Sequence, residues 1–137
     1  MLLSRKADYA LRAVRHLSLL PKGTLNSINA IAAAEEIPRE FLAKILKDLT
    51  RSGVLESFQG VTGGYRLGKK AREISFLDVI EAIEGPLHLN LCTVEGHKCA
   101  CPVVDTCTMR IFWMAQEKSL KKALTKHTFA RYSKTKK

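Results

Sequence analysis

Residues 38–67 read PREFLAKILKDLTRSGVLESFQGVTGGYRL. Pro38 suits the first turn of a helix and Gly53 suits the residue that closes one, so a helix is predicted between them. Leu42, Ile45, Leu46 and Leu49 recur at three- and four-residue steps and form its inward face. Arg39, Glu40, Ala43, Lys44, Lys47 and Arg51 are left on the outer face. Val54 to Phe58 then reads as a strand, Gln59 to Gly64 as a glycine-rich turn, and Tyr65 to Leu67 as a returning strand. A basic-faced helix followed directly by a hairpin is the reading head of a winged helix-turn-helix, with the wing at 54–67.

The flanking sequence completes that pattern. Upstream, Tyr9, Ala10, Ala13, Val14, Leu17 and Leu20 trace one face of a helix over residues 5–20, ended by Pro21 and Gly23. Asn26 or Ser27 caps a short second helix, INAIAAAEE, separated from the third by a tight turn at Glu36 and Ile37. Downstream, Ser75 caps a fourth helix, FLDVIEAIE, ended by Gly85 and Pro86. Residues 1–85 therefore form the predicted DNA-binding domain, and the fold class is mainly α with a small β-hairpin wing. A final helix is expected over 103–126, with Met109, Phe112, Trp113, Gln116, Leu120 and Leu124 roughly on one side. Its apolar surface exceeds what so small a domain easily covers, so pairing with a second copy is expected, a fold-back on its own domain being the competitor. Residues 127–137 read as a flexible basic tail.

The 137 residues carry a net charge of +10, unevenly spread. Residues 1–70 hold 12 Lys/Arg against 6 Asp/Glu, residues 71–107 hold 2 against 6, and residues 108–137 hold 9 against 1. Such a field attracts polyanions, nucleic acid or an anionic membrane surface. No apolar run approaches the ~20 residues of a membrane span. Arg5, Lys6, Asp8, Arg12 and Arg15 break up the N-terminal leucines, so no secretory signal is expected there. A cytoplasmic protein with no membrane partner is expected. The only nucleophile candidates are thiols with no base at a recognisable spacing, so no enzyme is expected.

On a DNA-binding reading, Arg39, Glu40, Ala43 and Lys44 meet base edges in the major groove, whereas Lys47 and Arg51 meet phosphates. In the wing, Gly60, Gly63 and Gly64 admit close backbone approach, and Gln59, Thr62, Tyr65 and Arg66 supply donors. Ser4 and Arg5, opening the first helix, complete the set. The expected partner is a double-stranded, near-palindromic operator bound by a homodimer.

All four cysteines, Cys92, Cys99, Cys101 and Cys107, fall within sixteen residues, spaced C-x6-C-x-C-x5-C. So dense a group in a reducing compartment argues against structural disulfides. Paired C-x2-C steps of zinc fingers are absent. Irregularly spaced thiolates on a loop, here 86–107, suit an iron-sulfur cluster, with zinc and a thiol redox switch as alternatives.

Four stretches are similar to the iron-sulfur regulator family of IscR, NsrR and RirA: SRKADYALR (Ser4 to Arg12), GVLESFQGVTGGYRL (Gly53 to Leu67), SFLDVIEAIEG (Ser75 to Gly85) and CPVVDTCTMRIFW (Cys101 to Trp113). The glycine-tyrosine wing is the most specific, and the resemblance runs from Leu3 to about Tyr132. It implies a winged dimer with a long C-terminal pairing helix and a [2Fe-2S] or [4Fe-4S] cluster on Cys92, Cys101 and Cys107, with Cys99 an alternate to Cys101. Where IscR-type members carry a histidine ligand three residues after the last cysteine, this chain has Arg110. NsrR-type members use an aspartate of the partner's first helix beside an arginine one turn on, which Asp8 and Arg12 match. An ordinary surface pair of Asp8 with Arg12 is the competing reading. His88 and His97 are read as solvated loop residues. IscR-like wings carry arginine where this chain has Gln59. The resemblance thus implies a repressor controlled by nitric oxide, iron or redox state. The rivals are a winged regulator with a zinc or thiol-disulfide site, and an iron-sulfur adaptor that binds no DNA.

Overall fold

The computed structural model describes residues 3–96 and 107–133. Its elements are α1 (Arg5–Ser18), α2 (Ile28–Glu35), α3 (Arg39–Arg51), β1 (Leu55–Phe58), β2 (Gly64–Leu67), α4 (Phe76–Glu84), α5 (Thr108–Lys126) and α6 (Ala130–Ser133). Single 3-10 turns lie at Ala71–Glu73 and Leu91–Thr93.

Serines start three of the helices by satisfying backbone donors that would otherwise lack partners. Ser4 Oγ accepts from the Ala7 N–H at 3.0 Å and Ser27 Oγ from the Ala30 N–H at 3.1 Å. Ser75 Oγ accepts from the Asp78 N–H at 3.0 Å, and the Asp78 carboxylate takes the Ser75 N–H at 2.9 Å, a capping box. Between α2 and α3, Glu36 adopts a left-handed backbone, φ +52°, and the Ile37 N–H reaches back to the Ala32 carbonyl at 3.1 Å. That reversal aims the chain into α3 and buries Ile37.

The core lies where α1, α3 and α4 meet. Ala7, Ala10 and Ala13 line the buried face of α1, and such small side chains let neighbouring helices approach closely. Leu42, Ile45, Leu46 and Leu49 of α3 are all fully buried, as their spacing predicts. Each contributes about 1.5–3 kcal/mol by leaving water.

The wing pairs Leu55 with Leu67, Glu56 with Arg66, Ser57 with Tyr65 and Phe58 with Gly64. Val54 falls outside the ladder. Its N–H returns to the Leu49 carbonyl at 3.0 Å and its carbonyl accepts from the Gly68 N–H at 2.8 Å, so it ends α3 rather than starting the strand. A Cβ on Gly63 would sit 2.1 Å from the Phe58 carbonyl oxygen, and one on Gly64, φ +147°, would sit 2.7 Å from that of Asn26. Asn26 and Tyr65 exchange two backbone hydrogen bonds, of 3.0 and 2.9 Å, which fix the wing to the loop between α1 and α2.

Two expectations about the C-terminal third need correction. The last helix begins at Thr108, and Cys107 before it is extended; 103–106 lie outside the described residues. Nor is the stretch after α5 a free tail as far as residue 133. The Phe76 N–H donates to the His127 carbonyl at 2.9 Å, and the Phe129 N–H to that of Ile74 at 3.2 Å. Phe129 is 1% exposed and stacks on Phe76 at 4.8 Å. One aromatic entering the core outweighs the solvation of its basic neighbours.

Candidate nucleic-acid interface and thiol site

Burying the leucine stripe of α3 turns its polar face outward, because both follow the same helical period. Arg39, Glu40, Lys44, Lys47 and Arg51 are exposed and Ala43 is half-buried. Arg39 Nε donates to Asn29 Oδ1 at 2.7 Å, which ties the start of α3 to α2. Between α3 and the hairpin runs an open groove of about 460 Å³ lined by Ala43, Lys47, Thr50, Arg51, Ser57 and Tyr65. Of the expected helix and wing residues the groove brings together Ala43, Lys47, Arg51 and Tyr65, and Thr50 and Ser57 join them. Periodicity alone did not single those two out, although Ser57 stands opposite Tyr65 in the hairpin register.

The wing tip presents Gln59, Gly60 and Thr62 to solvent, with Val61 fully exposed between them. Arg66 is held back along the hairpin, its Nε 3.0 Å from Glu56 Oε1 and its guanidinium over the Phe58 ring. At the start of α1, Arg5 is exposed. Ser4 is occupied by its cap and donates to Glu84 Oε2 at 3.0 Å. Lys6, not among the expected contacts, bridges α1 to α3 through Asp48 at 2.8 Å. That hydrogen bond, against a smaller opposing effect of burial, holds the Asp48 carboxyl below the usual aspartate value.

Asp8 is exposed, 3.7 Å from Arg12 Nη1. Arg12 also grips the end of α2, with Nε 3.5 Å from Glu35 Oε1 and Nη2 on the Glu35 carbonyl, and lies over the Tyr9 ring. Glu35 further faces Arg15 at 3.4 Å and His16 at 3.7 Å, and His16 Nε2 meets Asn26 Oδ1 at 2.9 Å. Within one chain, then, Asp8 belongs to a surface pair. Among the described residues no three of His, Cys, Asp and Glu are grouped closely enough to hold a metal ion. Cys99, Cys101 and His97 lie outside those residues.

Cys92 sits in the turn Leu91–Thr93 and Cys107 immediately before α5; both are half-buried free thiols. Arg110 Nε donates to the Cys92 carbonyl at 3.0 Å. Glu117, buried on α5, accepts from the Leu89 N–H at 2.6 Å and from the Thr93 hydroxyl. Burial pushes its carboxyl up, but those donors prevail and hold it below the usual glutamate value. His88 Nδ1, 3.6 Å from Glu117, is part of this network rather than a solvated loop residue.

The first two turns of α5 also leave apolar residues open. Met109, Ile111, Phe112 and Met114 are exposed, and Trp113 Nε1 has no acceptor among the described residues. No described helix is long and apolar enough to cross a membrane.

Known proteins resemble this arrangement. A relative named "Putative HTH-type transcriptional regulator Rv1287", from Mycobacterium tuberculosis (strain ATCC 25618 / H37Rv), is 41% identical over 87 residues, 64% of this chain and 54% of that protein. The chain thus spans about half the length of the curated relatives it matches. CymR (YrzC), the global cysteine regulator of B. subtilis, superposes with a TM-score of 0.77 at 23% identity, covering 100% of this chain and 99% of that one. For T. potens IscR the TM-score is 0.74 at 23% identity, over 95% and 84% of the two chains. At these identities the likeness establishes the winged-helix fold. The family model Rrf2, described as "Iron-dependent Transcriptional regulator", matches residues 3–134, and the chain belongs to that family.

Proposed function

We propose that the chain is a cytoplasmic, homodimeric DNA-binding transcription repressor whose operator binding is set by the state of its cysteine segment. The observation that carries the DNA reading is the open groove shared by α3 and the wing, lined by the exposed Lys47 and Arg51, with Arg39 and Lys44 exposed on the same helix. Exposed Arg39, Glu40 and Lys44 with Ala43 suit base edges, and Lys47 and Arg51 suit phosphates. Gln59, Gly60 and Thr62 suit the sugar-phosphate surface beside the wing, whereas Arg66 must leave Glu56 to join them. The exposed apolar residues of α5 support pairing with a second copy.

Two half-buried free thiols bracketing a segment with two more cysteines have the soft-donor chemistry of a thiolate centre. Cys92, Cys101 and Cys107 would hold an iron-sulfur cluster, with Cys99 an alternate to Cys101 and the partner's Asp8 as the fourth ligand. A bound cluster supplies sensitivity to nitric oxide, oxygen and iron supply. Asp8, one turn from the arginine that grips α2, would tie that state to the spacing of the two recognition helices. A zinc or thiol-disulfide site uses the same thiols and is separated by colour and metal content. The test is a gel shift against the chain's own upstream DNA, run anaerobically at low salt before and after iron chelation. A shift that changes with chelation supports the reading, and no shift in either state refutes it. Asp8→Ala should alter the visible spectrum without unfolding the chain; an unchanged spectrum rejects Asp8 as a ligand.

A further inference from the structure

Glu117 is the one buried charged side chain among the described residues. A carboxylate withdrawn from water is costly unless donors occupy it. Those here, the Leu89 N–H and the Thr93 hydroxyl, both belong to the segment carrying Cys92. Arg110 lies seven residues earlier, about two helical turns, and so on the same face of α5. It holds the carbonyl of Cys92 itself at 3.0 Å. Residues 89, 92 and 93 are thus fastened to α5, whose first turn follows directly on Cys107.

We propose that Arg110 and Glu117 form a latch that positions Cys92 relative to Cys107 in the metal-free chain. Two of the thiols then keep a set arrangement on α5 before any metal arrives, and movement of the thiol segment is passed to that helix. Both are positioning residues: neither is a ligand. The use of the latch rests on the thiolate-centre reading above, whereas its geometry does not.

The test is differential alkylation of the full-length, reduced, metal-free chain with iodoacetamide, rates at Cys92 and Cys107 being read separately by mass spectrometry. Losing the latch lets the Leu91–Thr93 turn open locally, so Glu117→Ala should raise the Cys92 rate relative to Cys107 by about fivefold or more. Glu117→Gln keeps an acceptor oxygen and should stay within about twofold of wild type. An unchanged ratio in a folded Glu117→Ala chain overturns the proposal, as does an equal acceleration of both thiols, which is the mark of general loosening. Should that variant fail to fold, Thr93→Val removes a single donor and is read identically. Reconstitution with ferrous iron and sulfide separates the two readings. If the wild type takes up no iron, the cluster reading fails while the alkylation ratio still decides the latch.

Discussion

Replacing Phe129 by alanine removes a ring that is 1% exposed and stacked on Phe76 at 4.8 Å with 28° between planes. Buried Phe→Ala changes cost about 3–5 kcal/mol, of which ring pairing accounts for about 0.5–1.5. The site has little room to collapse, because backbone bonds from Phe76 to His127 and from Phe129 to Ile74 hold both walls in place. About 4 kcal/mol is therefore expected. With a urea slope of about 2 kcal/mol/M, the unfolding midpoint falls by about 2 M. The assay is urea unfolding followed by circular dichroism at one fixed protein concentration, since the proposed pairing would make the midpoint concentration-dependent. Arg131→Ala, an exposed neighbour in the same segment, is the control and should move stability by less than about 0.5 kcal/mol. If Phe129→Ala matches that control, the docked C-terminal segment is wrong and residues after α5 behave as a loose tail.

Three further outcomes follow from named contacts. Lys47→Gln should weaken operator binding about uniformly across sequences and flatten the log–log salt slope by about 0.9, one phosphate's worth, as read by fluorescence anisotropy over a salt series; an unchanged slope removes Lys47 from the phosphate set. The Asp48 carboxyl is depressed by Lys6, so its contribution to stability is present above the unfolded-state aspartate value and is lost as pH falls through the lower folded value. Asp48→Asn should accordingly melt below wild type at pH 6 and converge with it in strong acid, and a gap that persists there would trace to shape rather than charge. Phe112→Glu puts a carboxylate on the exposed apolar face of α5 and should shift the chain from dimer to monomer in sedimentation velocity, with its helix content kept.

Most of the reading head was legible because its signals are local. The four-residue rhythm of α3, the caps Ser27 and Ser75 and the closing Gly53 each act within one turn of the chain, and all appear as expected. What escaped the sequence depends on distant partners. Glu117 looks like any solvated charge on a basic helix until Leu89 and Thr93, 28 and 24 residues earlier, fold onto it. Phe129 stands in a lysine-rich stretch with no periodicity, and only its long-range pairing with Ile74 shows it as core. Ser4 and Arg66 stand among the expected DNA contacts, whereas Glu84 and the cross-strand Glu56 already engage them. The thiols were conspicuous by number, but neither the place of Arg110 within the Cys101 to Trp113 stretch nor anything around Glu117 signals that the two hold the Cys92 segment.

That docked aromatic also bears on how the protein comes into being. Phe129 follows the cysteine segment and α5 in the chain yet completes the core formed by helices that precede them. During vectorial synthesis the winged domain can assemble its early helices, but it cannot seal its interior until everything between has been translated. A product interrupted within α5 would therefore leave the ribosome with the Phe76 side of its core still open, so the order of the chain makes sealing of the winged domain's interior wait on synthesis of the cysteine segment and α5.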